Sequence, residues 1–167
     1  MWCQVTVFIA KKRRFICEIH YLEMKKSSQK LSADVIKSID QGDVDTAKKY
    51  LNFVDRDGRS LVFHSIVANN IEMLRSLLSF GADGSLQDKN GWTPLHHAVQ
   101  AHNLEAICIL LQSGANPEIC DNYGNTPLWR AVFASEGKGG TISLLLNSGA
   151  NANAKNHSGI SPRDLAE

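Results

Sequence analysis

Apolar and polar positions follow one another along this chain at helical spacing, and the spacing repeats. In residues 88–120, Leu95, Ala98 and Val99 fall on one face, and after a polar break at His102 and Asn103 the residues Leu104, Ile107, Leu110 and Leu111 make a second stripe. Positions three and four apart share a helical face, so this stretch predicts two short amphipathic helices. Thr93 stands where a hydroxyl caps a helix, and Pro94 at the first helical position, where a missing N–H costs nothing. Gly91 and Gly114 bound the pair. The first suits a tight turn, the second the left-handed residue that closes a helix.

The unit recurs. Gly58, Gly91 and Gly124 stand 33 residues apart, as do Gly81 and Gly114, and Gly114 to Gly149 is 35. TPLH at 93–96 is matched by TPLW at 126–129 and SPRD at 161–164. LLSFGA at 77–82 is matched by LLQSGA at 110–115 and LLNSGA at 145–150. A fixed period of this length marks a solenoid in which each unit covers its neighbour's apolar face. With two motifs in register, residues 31–167 resemble the ankyrin repeat family. The resemblance implies an all-α solenoid of helix-turn-helix units joined by short β-hairpin turns.

The units divide as 31–54, a degenerate amino-terminal cap, then 55–87, 88–120 and 121–154, and a partial unit at 155–167. VDTAKKYL (44–51) aligns with IEMLRSLL (71–78) only 27 residues on, which predicts a shortened first hairpin. In the third full unit two extra residues fall in SEGKGG (135–140), a glycine-rich insertion between its helices. The last unit stops within its first helix.

Residues 1–30 form a basic, non-repeat extension with seven Lys/Arg and two Glu. Residues 1–23 have two readings. Val5, Val7 and Ile9, then Phe15, Cys17, Ile19 and Tyr21, alternate as two strands joined at KKRR would. Alternatively, translation begins at Met24 and MKKSSQK is the true amino terminus, of bacterial character.

Composition narrows the function. Hydrophobic residues at 43% and charged residues at 21% describe a globular domain without a membrane-length apolar run. Residues 31–167 carry eleven Lys/Arg against fifteen Asp/Glu, which speaks against nucleic acid. Cys3, Cys17, Cys108 and Cys120 have neither metal-ligand nor disulfide-framework spacing, so a cytoplasmic location is expected. His97 and His102 lack the four-residue spacing of a helical zinc pair, and EGKGG lacks the phosphate-loop pattern. The resemblance gives His96 a structural role in tying the TPLH turn. No catalytic residue, cofactor or metal is expected.

What remains is a surface. The resemblance places hairpin tips at 55–59, 88–92, 121–125 and 155–160, and an inner helix face beside them. The candidate partner-binding residues are Arg56, Arg59, Lys89, Asn90, Trp92, Gln100, Asn122, Tyr123, Asn125 and Phe133, a mixture of aromatic, Arg and amide groups of the kind interfaces use. Trp92 and Tyr123 are the expected anchors, at turn positions where the fold requires no bulk. Arg59, Trp92 and Asn125 share one repeat position, so Arg59 is expected against the Trp92 ring. The expectation is a monomeric, non-enzymatic module that binds and masks one protein partner, as an immunity-type protein does. The alternatives are a segment of a longer scaffold and a host-directed bacterial effector. Residues 24–167 should fold without residues 1–23; circular dichroism and melting of the shortened chain check this, and lost helix content would make the extension part of the fold.

Overall fold

Nearly every helix begins at a polar side chain that takes a free backbone N–H. In the computed structural model, residues 43–135 and 139–167 are described, together with Lys37 and Gln41. The alternatives for residues 1–23, the extension to residue 30, the first helix of the cap and residues 136–138 of the inserted loop lie outside them.

The described helices are α1 (Val44–Lys49), α2 (Leu61–Val67), α3 (Ile71–Ser79), α4 (Pro94–Gln100), α5 (Leu104–Gln112), α6 (Pro127–Phe133), α7 (Gly140–Asn147) and α8 (Pro162–Ala166). Ser60, Thr93, Thr126 and Ser161 cap the first helices of their units, and Asp43, Asn70 and Asn103 cap second helices. Only α7 starts at a glycine, Gly139, without a side-chain cap, directly after the two-residue insertion. In the other units Asn69 and His102 turn the chain at positive φ (52° and 51°) just before the capping Asn. The insertion replaces that arrangement.

The helices form two layers. α2, α4, α6 and α8 pack side by side as the inner layer, and α1, α3, α5 and α7 as the outer, with each inner helix of a full unit also packed on the outer helix that follows it. Between the layers lie Leu61, Leu74, Leu77, Leu95, Ile107, Leu110, Leu128 and Leu145, all fully buried. Truncating one such leucine to alanine costs about 2–5 kcal/mol, so the repeated leucines carry much of the stability.

Between units the chain makes projecting turns. There is no strand among the described residues, only an isolated bridge between Val54 and Ser60. Five-residue turns close through Asp55 N–H to Arg59 C=O (3.0 Å), Asp88 to Trp92 (2.9 Å), Asp121 to Asn125 (2.9 Å) and Asn156 to Ile160 (3.0 Å). Adjacent turns are tied along the stack by Lys89 N–H to Asp57 C=O (2.8 Å), Asn122 to Asn90 (3.0 Å) and His157 to Tyr123 (3.0 Å). Gly91 has φ of 77°, and a Cβ there would lie 2.7 Å from the Asn122 backbone nitrogen. Only glycine lets the turns stack so closely. The expected shortening does not fall in the first turn, which has five residues like the others; it is divided between α1, of 6 residues against 9 in α3, and the link that follows it.

Cover is uneven along the outer layer. Ile107 and Leu110 of α5 are fully buried; in α7 only Leu145 matches them, with Ile142 half-buried and Leu146 43% exposed. Stability in a linear stack is local, so α7 should open first. Backbone amides at 141–147 are expected to exchange at least about tenfold faster than those at 104–111, equivalent to about 1.4 kcal/mol; equal or slower exchange would contradict this.

Candidate functional site

The first three turns are built on one carboxylate each. Asp88 Oδ1 accepts from the backbone N–H of Asn90 (2.8 Å) and Trp92 (2.9 Å), and Oδ2 meets His97 Nε2 at 3.1 Å. Asp55 repeats this with Asp57, Arg59 and His64. Asp121 repeats it with Tyr123, Asn125 and Arg130, whose guanidinium reaches Oδ2 at 2.6 and 3.2 Å. These three turns are therefore locked to their own inner helices by a basic side chain nine residues on. Burial alone would raise the Asp121 carboxyl, but the Arg130 hydrogen bonds and the turn N–H groups hold it below the usual carboxylate range. In the last unit Asn156 Oδ1 caps the turn, and Leu165 stands in the basic position.

Cations and rings line the groove between turns and helices. Arg130 lies over Trp92 with its guanidinium carbon 4.7 Å from the ring centroid, and 5.8 Å from that of Trp129. His97 is wedged between Phe63 (4.4 Å) and Trp92 (4.8 Å). Arg59 lies over Phe63 at 5.0 Å. Trp129 stacks on Phe133 at 5.3 Å with 15° between planes. This corrects the expected Arg59–Trp92 pair. Arg130 takes the Trp92 face because its tether to Asp121 points it back towards the preceding unit, while Arg59 folds onto the ring of its own helix. Trp92 is half-buried in this packing, so its turn position does carry bulk for the fold.

The other candidates divide into surface and scaffold. Tyr123 and Phe133 are 68% and 67% exposed. Arg56, Gln100 and Asn90 are exposed, Asn90 also accepting from the next turn. Lys89 reaches Asp57 at 3.5 Å, with Arg59 on the same carboxylate at 3.7 Å. Asn122 is exposed but ties turns together through its amide to Lys89 C=O (2.8 Å). Asn125 is buried, its side chain held by Asp121 and Asn156. His64, His97, Trp129 and Arg130 were not among the sequence candidates. Their signal is legible in retrospect: Asp three residues before the repeat glycine, and His, His or Arg six after it.

His96 plays the structural part expected of it. Its Nδ1 accepts from Thr93 N–H (3.2 Å) and the Thr93 hydroxyl (2.9 Å), and Nε2–H donates to Asn125 C=O in the next unit (3.1 Å). Phe63 and Trp129 hold this position in the flanking units, and Trp129 Nε1 is buried without a partner. Cys108 is half-covered, in a cleft with Leu111 and Leu144 between α5 and α7. Among the described residues no group of three or more His, Cys, Asp or Glu is placed to hold a metal ion, and no helix is long and apolar enough to cross a membrane.

Two layers of short helices with stacked projecting turns define a helical repeat solenoid. A family model described as ankyrin repeats in three copies matches residues 35–121 and 66–156, and the chain belongs to that family. No curated protein matches the chain. Ankyrin repeats are generally protein–protein interaction modules and typically carry no catalysis.

Burial lowers His96 from 6.5 to about 4, outweighing the hydrogen bond to Asn125, and burial likewise lowers His97 against the pull of Asp88. The folded state thus prefers neutral imidazoles, and the unfolded chain takes up protons first. Stability is full above about pH 6.5 and is lost as pH falls towards 4, by about 3 kcal/mol for His96. Asp121, with its lowered carboxyl, loses its contribution only at still lower pH. Melting temperature followed from pH 7 to 4 should fall, and His96→Gln should flatten the slope; an unchanged slope would show that His96 does not set it.

Proposed function

We propose that the chain is a non-enzymatic module that binds a protein partner through its turn tips and the exposed ends of its inner helices, and masks the surface it covers. The observation that carries this is the exposure of Tyr123 and Phe133. Both side chains lie mostly in water, Phe133 touching the fold through its stacking on Trp129, and the equivalent positions hold Asp57 and Asn90, and Val67 and Gln100. The fold accepts polar side chains at most of these places, so the aromatics answer to something else. Exposed aromatics are frequent interface anchors because they bring large contact area at low entropy cost.

The frame beneath them suits binding. Each turn is closed by its Asp, or in the last by Asn156, and the turns are tied in series, so the tips are held before a partner arrives and little order has to be gained on association. An immunity-type role, in which the module blocks a toxic or regulatory partner, is the specific form we favour, as occupation of a surface is all that such a frame has to accomplish.

The test is a photocrosslinking residue at Tyr123 or Phe133 in the source cell, followed by affinity measurement on the captured protein. Tyr123→Ser with Phe133→Ser should weaken binding by about thirtyfold, the effect of losing about 2 kcal/mol of anchor energy, while melting stays within about 2 °C because both side chains are exposed. Trp92→Ala should instead lower the melting temperature. Unchanged affinity in the double variant would remove this surface from the function.

A further inference from the structure

Asn90–Gly91 is the one Asn-Gly pair in the chain, and it stands at the tip of the second turn. A glycine has no side chain to keep its backbone nitrogen away from the carboxamide before it, so this pair is the most open to ring closure. Here the two reacting groups are held very differently. The carboxamide of Asn90 is exposed and makes no hydrogen bond among the described residues. The backbone around it is bonded at every polar atom. In the peptide before Asn90, Lys89 C=O accepts from the Asn122 side-chain amide (2.8 Å) and Asn90 N–H donates to Asp88 Oδ1 (2.8 Å). In the peptide after it, Asn90 C=O accepts from Asn122 N–H (3.0 Å) and Gly91 N–H donates to Asp88 C=O (2.9 Å). Gly91 C=O in turn accepts from the Gln87 side chain (2.7 Å). Both peptide planes flanking Asn90 are therefore pinned, each by one tie within the turn and one to Asn122 of the next unit.

We propose that Asn90 is a self-modification site kept closed by the turn stack: it converts to isoaspartate when the third unit lets go of the second, and the product holds the two turns apart. The inference does not depend on the protein-binding reading. In the reaction Gly91 N gives up its proton to solvent and bonds to the Asn90 side-chain carbon, the bond from that carbon to Nδ2 breaks, and ammonia leaves. Water then opens the ring at one of its two carbonyls, giving aspartate or isoaspartate. The first step needs Gly91 N free of Asp88 C=O and the planes free to turn, which the ties to Asn122 prevent. Opening of the third unit, where α7 is least covered, releases them. Isoaspartate then leads the backbone through Cβ and Cγ, one carbon longer than before. No room exists for it where the turns touch, since even a Cβ on Gly91 would lie 2.6 Å from Asn122 Oδ1. Aspartate fits, because Asp57 holds the same place in the first turn and its C=O accepts from Lys89 N–H as that of Asn90 does from Asn122.

The test warms the full chain at mildly alkaline pH, digests it in acid, where ring closure is slow, and follows the peptide carrying Asn90 by mass spectrometry, with chromatography to tell isoaspartate from aspartate. The chain unfolded in guanidinium chloride should convert at Asn90, and the folded chain at least about tenfold more slowly, because opening has to come first. Equal rates overturn the proposal. Asn122→Ala removes the side-chain tie alone and should speed conversion in the folded chain by about fivefold, the effect of one lost hydrogen bond, with no effect in denaturant. A folded-state rate that Asn122→Ala leaves unchanged, or raises only in step with amide exchange across 71–79, overturns the gating by the next unit. The isoaspartate form, separated from the unmodified chain by its added negative charge, should melt several degrees lower, while Asn90→Asp stays within about 2 °C of the original. Equal melting of the two acidic forms overturns the claim that the product parts the turns.

Discussion

The turn carboxylate is the contact on which the rest depends. A five-residue turn leaves several backbone N–H groups facing one another, and an aspartate at its first position accepts two of them with one oxygen. Its second oxygen then holds a basic side chain one turn into the following helix. Asp55, Asp88 and Asp121 each do both things, which joins the direction of the projecting turn to the direction of the helix. With that angle set in the three full units, the turns line up, their backbones hydrogen bond in series, and glycine is the one residue that fits where they touch.

Within this common frame the units differ in how they meet their neighbours. His96 bridges the second full unit to the third through Asn125 C=O, a hydrogen bond that Phe63 has no donor to make and that Trp129, whose Nε1 is buried without a partner, does not make. Packing adds to it there, with Arg130 on Trp92, and takes its place at the preceding interface, where His97 packs on Phe63, itself covered by Arg59 of the same unit. Such contacts contribute about 0.5–2 kcal/mol each, depending on desolvation, comparable to the hydrogen bond they replace. The side-chain bridge differs between these two interfaces while the leucine core beneath stays nearly constant.

The same frame separates scaffold from surface. Asn125 and Trp92 occupy one repeat position, yet one is buried in hydrogen bonds and the other is packed among rings, so neither is free in the way Tyr123 is. The carboxylates of Asp55, Asp88 and Asp121 are consumed in closing their turns, and Arg56, Lys89, Asn90 and Tyr123 are among the side chains left facing outward.

The sequence by itself determined the period, the two helices of each unit, their caps and their buried leucines. These follow from local rules: a hydroxyl or amide ahead of a helix, glycine at a left-handed position, leucines at helical spacing. The shortening at the amino-terminal cap and the structural part of His96 were equally legible, since spacing and motif position carry them. The tertiary structure decided which side chains meet across units. A shared repeat position places Arg59 beside Trp92 in register, but the tether of Arg130 to Asp121 aims a different guanidinium at that ring. Exposure was also undecided, because whether a turn aromatic lies in water or against the next unit depends on neighbours about 30 residues away in the chain. Local patterns fix elements; the distance between units in the chain is what keeps their contacts out of the one-dimensional record.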